Sequence, residues 1–264
     1  VNRGTLVLAV GTLWIAVAGH AGAQTSGSGV SELDRAQALA DSGRTDAARA
    51  SLDAWYGASE APGPVELSRA RLLRARLASD PDSAELDYVW VTIEGHAAHA
   101  PEALLRLAQL RLLRGEPERA LADLERLRSS HPEDPRIGES WLWTGHAHEA
   151  LGELEAACAA WRRAEPADSV TRPAVTEALK ACEEGGAVFA VQVGAFGEIS
   201  GAETVRRRLE SAGFETYVVT NGEDGLHRVR TGRFMHLTSA ALYAERVRRH
   251  GFEAVVVLSA PASG

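Results

Sequence analysis

Apolar and polar positions follow a helical pattern from residue 31 to residue 182 and an alternating, strand-like pattern from about residue 188 onward. In the first region Ala, Leu, Arg and Glu dominate. The breaks Ser42-Gly43-Arg44, Ser79-Asp80-Pro81, Arg114-Gly115-Glu116 and Leu151-Gly152-Glu153 recur every 36 or 37 residues. Five positions after Gly43, Ser79, Gly115 and Gly152 stand Ala48, Ala84, Ala120 and Ala157, and nine positions after them stand Leu52, Tyr88, Leu124 and Trp161. A fixed period of this length predicts stacked helical hairpins, none of which can bury its own apolar face alone. The small Ala lets paired helices approach closely. Trp55, Tyr88 and Trp161 are expected to pack in the core rather than to touch a ligand, and the segment from Val170 to Cys182 is expected to cap the stack.

The alternating region repeats itself at an offset of 38 residues. Val191 matches Val229, Gly194 matches Gly232, Phe196 matches Phe234, and Gly213-Phe214-Glu215 matches Gly251-Phe252-Glu253. Each half reads strand, helix, strand, with Ser200 and Thr238 as expected N-caps and Gly213 and Gly251 as helix stops. The result is a βαββαβ, ferredoxin-like unit. Two helices cover one face of such a sheet and leave the other open. Alternation puts Val191, Val193, Val229 and Thr231 toward the helices, and Ala190, Gln192, Gly194, Leu226, Arg228 and Arg230 on the open face. Phe196 and Phe234 are expected in the core. The whole chain is therefore read as α+β, an all-α helical array over 31–182 followed by a small module over 187–259.

Two family resemblances give these patterns a functional direction. Leu104 to Pro132, with Gly115, Ala120, Leu124 and Pro132, resembles the tetratricopeptide repeat family. That resemblance implies an array whose concave face recruits a partner protein. Val191-Gln192-Val193-Gly194-Ala195-Phe196 and Arg228-Val229-Arg230-Thr231-Gly232-Arg233-Phe234 resemble the paired signature of SPOR domains. This implies binding of peptidoglycan glycan strands stripped of stem peptides, with Gln192, Ala195, Leu226, Arg228 and Arg230 as the glycan-binding positions. Ala195 stands where such domains commonly carry Ser, and Leu226 where one carries an aromatic, so no sugar-stacking ring is expected at that position. The resemblances together imply an exported adaptor that holds peptidoglycan and recruits an unidentified envelope protein, linked to cell division or wall remodelling. The alternative is an envelope scaffold whose SPOR-like module no longer binds glycan.

Composition narrows the compartment and the chemistry. Arg3, the uncharged run Leu6 to Ala18 and Ala21-Gly22-Ala23 read as a signal peptide over 1–23, about 13 apolar residues being too few for a membrane span. The expected location is periplasmic or wall-associated, with no stable membrane anchor after cleavage. The net charge is −8; eight of the 36 acidic and nine of the 28 basic residues follow Ala187, so the module carries +1 and the rest −9. No concentrated basic field exists for nucleic acid. Cys158 and Cys182 permit a disulfide in an exported chain; two buried free thiols are the other reading. His146-Ala147-His148 does not read as a metal site because residues two apart on a helix diverge, and His96 and His99 read as polar surface. No catalytic motif is recognisable, and neither a cofactor nor a metal is called for. The short stretch Glu183 to Ala187 predicts two parts that are flexibly joined without being far apart.

Overall fold

The structure is a computed structural model that describes residues 26–58, 61–164, 171–183, 189–220 and 224–259. The signal-peptide reading and its cleavage site lie outside the described residues, as does the linker from residue 184 to residue 188.

Among the described residues nine helices build the array: α1 (Ser26–Asp41), α2 (Thr45–Ala58), α3 (Pro64–Leu77), α4 (Pro81–Ile93), α5 (Ala100–Leu113), α6 (Pro117–Ser130), α7 (Ile137–Leu151), α8 (Leu154–Arg163) and α9 (Thr171–Glu183). Every expected break is the turn inside a hairpin. Gly43, Gly115 and Gly152 take φ values of 76°, 73° and 77°, the left-handed conformation that glycine adopts without strain. At Gly43 the turn is closed by Arg44 N donating to Leu39 O at 2.9 Å. The second hairpin lacks that glycine and uses a different device. Ala78 is extended, and the Asp80 carboxylate caps α4 by accepting from Asp82 N and Ser83 N, with Pro81 at the first helical position.

The repeat positions are the core. Ala48, Ala120 and Ala157 are fully buried and Ala84 nearly so, as are Leu52, Tyr88, Leu124 and Trp161. Trp161 lies against Gly145, where a Cβ would stand 2.2 Å from its Nε1, and that nitrogen donates to Leu142 O at 3.2 Å. Trp55 is 2% exposed, in keeping with a packing role. α9 closes the stack with Val175 and Ala178 against the Trp161 cluster. Cys158 and Cys182 are disulfide-bonded, tying α8 to α9 with their Cα atoms 5.9 Å apart.

The module consists of β1 (Phe189–Phe196), α10 (Ile199–Ser211), β2 (Thr216–Val219), β3 (His227–Phe234), α11 (Leu237–Arg249) and β4 (Val255–Leu258). The antiparallel sheet has the order β2-β3-β1-β4. Val191, Val229, Phe234, Ala202, Leu209, Ala240, Tyr243, Ala244 and Val247 form one core between sheet and helices. The buried Thr231 hydroxyl is satisfied by Glu215 O at 2.6 Å and Tyr243 Oη at 2.9 Å.

Both module helices start earlier than expected. The N-caps are Glu198 and His236, neither with a side-chain cap bond. Ser200 is already helical, and its hydroxyl turns back to the Glu198 carboxylate at 3.3 Å. Gly213 and Gly251 stop the helices with φ values of 85° and 83°.

The two parts lie close together, as the short linker implies, and direct packing corrects only the expectation of a flexible join. Gly152 O accepts a hydrogen bond from Arg233 N at 2.9 Å, and a Cβ on Gly152 would lie 2.5 Å from Gly232 Cα. Two glycines thus let a repeat turn and a strand backbone touch. Met235 joins Leu142 and Leu154 in the array's last cluster. Around it Arg233 pairs with Glu155 at 2.6 Å, His236 with Glu149 at 2.7 Å, and Arg246 with Glu118.

The candidate glycan-binding face

Two bulges decide which side chains reach the open face of the sheet. In β1, Gln192 pairs with Arg230, yet the next registered pair is Gly194 with Val229. The extra residue turns Val193 and Gly194 together toward the helices. A Cβ on Gly194 would meet the Phe196 ring at 2.7 Å, and that ring packs on the core. Gly194 therefore leaves the open face where simple alternation put it. Ala195 takes its place, exposed and paired with Arg228. In β3, Gly232 with φ 67° and Arg233 together face Ala190, the left-handed glycine opening the second bulge.

The registers then align one row across all four strands, Tyr217, Arg230, Gln192 and Val255 in order. At the usual strand spacing this row is about 14 Å long. A second row holds Val219, Arg228 and Ala195. Arg230 Nε donates to Gln192 Oε1 at 3.4 Å, which orients the amide. Arg228 donates to the Asp224 carboxylate in the preceding turn and to Leu226 O at 3.4 Å. That guanidinium, with the Leu226 amide, holds the Asp224 carboxyl below its usual range. Leu226 lies ahead of β3, outside the ladder, and its N–H donates to Asp224 at 3.2 Å.

Of the sequence-derived positions, the structure brings Gln192, Arg230, Arg228 and Ala195 onto the sheet face and leaves Leu226 in the turn. Sequence reasoning missed Tyr217. It sits directly opposite Arg230 on the edge strand β2, so the face has an aromatic ring after all. The signal was the alternation of Tyr217 and Val219 against Val218, overlooked because Val218-Val219 reads as a buried pair. Burial pushes the Tyr217 hydroxyl pKa up, opposed by the charges of Arg233 and Arg230.

The chemistry of this constellation is suited to binding. An amide and guanidinium groups offer donors to hydroxyl, acetamido and carboxylate oxygens, Val255 offers apolar surface at one end of the row, and the Tyr217 ring at the other end lies under the Arg233 guanidinium. Among the described residues no group of three or more His, Cys, Asp or Glu could hold a metal ion. His146 stands between Trp143 and Trp161, at 5.4 and 5.6 Å between ring centroids, and burial lowers its pKa. His148 turns away to Glu153 at 2.6 Å. His96 is exposed, whereas His99 is half-buried and bonded to the buried Ser68 hydroxyl at 3.1 Å, a correction to its reading as polar surface. No helix among the described residues is long and apolar enough to cross a membrane.

Comparison with known proteins bears on both parts. Residues 185–258 match the SPOR domain family model, and residues 102–134 match a tetratricopeptide repeat model. The solution structure of the peptidoglycan binding domain of the B. subtilis cell wall lytic enzyme CwlC is similar at 32% identity, covering 28% of this chain and 91% of that chain with a TM-score of 0.26. No curated protein matches the chain.

Proposed function

We propose, from the match of residues 185–258 to the SPOR domain model and of residues 102–134 to a tetratricopeptide repeat model, that this chain is an exported peptidoglycan-binding adaptor. The module binds glycan strands, and the array recruits an envelope protein to them in cell division or wall remodelling. It acts as a binding protein rather than an enzyme.

The observation that carries this reading is the open-face row Tyr217, Arg230, Gln192 and Val255. A polysaccharide presents alternating hydroxyl-rich edges and C–H faces, and this row offers donors in the middle, with apolar Val255 at one end and an aromatic ring at the other. Arg228 adds a second guanidinium that a muramic acid carboxylate can draw from Asp224, since that pair is exposed and weakly held.

Cosedimentation of the full chain with intact and amidase-treated sacculi tests it. Enrichment on treated walls, reduced in Gln192→Ala and Arg230→Ala, is the expected result. Equal failure on both walls sinks glycan binding and leaves a protein scaffold.

A further inference from the structure

We infer that the array is part of the glycan-binding face: Glu155, in the first turn of α8, holds Arg233 over the Tyr217 ring and so keeps that ring from stacking on sugar. This rests on the reading of the open face as the glycan site. Arg233 belongs to the β3 bulge opposite Ala190, which directs its side chain to the open face. Its guanidinium carbon lies 5.3 Å from the Tyr217 ring centroid, within cation–π range. The array holds it at both ends. Gly152 O binds its backbone N–H at 2.9 Å, and Glu155 Oε1 accepts from Nη1 at 2.6 Å.

A sugar and a guanidinium compete for the same ring, because both are drawn to the electron-rich face of an aromatic. With Glu155 in place the guanidinium is favoured. Glu155 never meets the glycan in this arrangement; it is a positioning residue that acts through Arg233. Its charge also reaches the ring's hydroxyl, where it adds to the upward pKa shift that burial causes. The pair is exposed, 49% at Arg233 and 73% at Glu155, so its removal is expected to change affinity only about two- to fivefold.

The test measures binding of the full chain to amidase-treated sacculi for wild type, Glu155→Gln, Tyr217→Ala and the double variant, with thermal midpoints recorded for each. Expected is two- to fivefold tighter binding by Glu155→Gln with an unchanged midpoint, and no gain from Glu155→Gln once Tyr217 is Ala. Weaker or unchanged binding by Glu155→Gln, or a gain that persists without Tyr217, overturns the inference. Gln192→Ala separates the two readings. If it lowers binding while Glu155→Gln does nothing, the glycan face stands and the array's part in it falls; if it too does nothing, the glycan face itself fails.

Discussion

The array and the module bury their apolar side chains in different ways. In the array the core is strung out in successive clusters, each shared by neighbouring helices: Leu33, Leu52, Trp55 and Leu73 at one end, Leu104, Leu124 and Leu127 further on, and Leu142, Leu154 and Trp161 at the other. In the module a single cluster joins β1, β3, α10 and α11, residues up to 63 positions apart from Val191 to Ala254. The first arrangement makes stability a sum of neighbour terms, so damage stays local; the second makes it all or none. Among the described residues the docking contacts named above fasten the all-or-none unit to the last repeat, apart from the Arg246 pair with Glu118 on α6.

The largest expected effect tests that locality. Trp161→Ala removes a fully buried indole and its bond to Leu142 O, a loss of about 3–5 kcal/mol. Amide exchange should rise through α7, α8 and α9 while α1 to α4 keep their protection. Phe234→Ala, of similar size, should instead expose all four strands of the module together. A Trp161→Ala variant that deprotects α1 as much as α8 breaks the comparison.

Next in size is the disulfide. The bond between Cys158 and Cys182 closes a separation of 24 residues, and in the chain-entropy model its loss removes about 3 kcal/mol. Reduction should loosen α9 from α8 in denaturant titrations. Binding to treated sacculi should persist, because Gly152, Glu155 and Glu149 dock the module without α9. Lost binding on reduction would show that the capping helix also supports the module.

A smaller effect separates the sheet's two ends. Arg230→Ala removes a central guanidinium and the group that orients Gln192, and is expected to weaken glycan binding about tenfold, the scale of one charged hydrogen bond. Ala195→Ser should change binding less than threefold, since Ala195 is exposed at the end of the second row. The reverse ranking would move the site's centre toward Arg228.

What was legible in the sequence follows the same division. The array could be read because one short-range rule recurs: Ala48, Ala84, Ala120 and Ala157 occupy one structural place, and repetition makes the place visible. In the module the strand-helix-strand duplication was equally plain, but the faces were not. Alternation carries a residue's direction only while the ladder is regular, and the bulge at Val193-Gly194 reverses it for Gly194 and Ala195. Docking was hidden for another reason. Gly152 and Gly232 each had a sufficient local explanation, as a helix stop and as a strand glycine, and nothing local shows that they touch. Tyr217 was hidden by its neighbours, since three successive apolar residues at 217–219 look like a buried strand although β2 lies at the sheet's edge.

The smallest effect is a pH slope to which one carboxylate in each part contributes with opposite sign. In the array, burial raises the Asp123 carboxyl to about 6, against the pull of Arg111, Arg119 and Arg126. Its folded pKa exceeds the unfolded one, so the folded array binds this proton more tightly and gains stability as pH falls from about 6 toward the ordinary carboxylate value of about 3.9. In the module Asp224 is held below its ordinary value by Arg228, so its contribution is present above that value and is lost as pH falls below it. Burial lowers His99 and His146, so those two oppose Asp123 over the same range, and the Asp123 contribution is read as the change in the array's urea midpoint of the wild type relative to Asp123→Asn on acidification from pH 6.5 to pH 4.5. Tryptophan fluorescence isolates the array, because all six Trp precede residue 162. The wild type should gain on Asp123→Asn as pH falls; equal responses of the two would remove this difference between the array and the module.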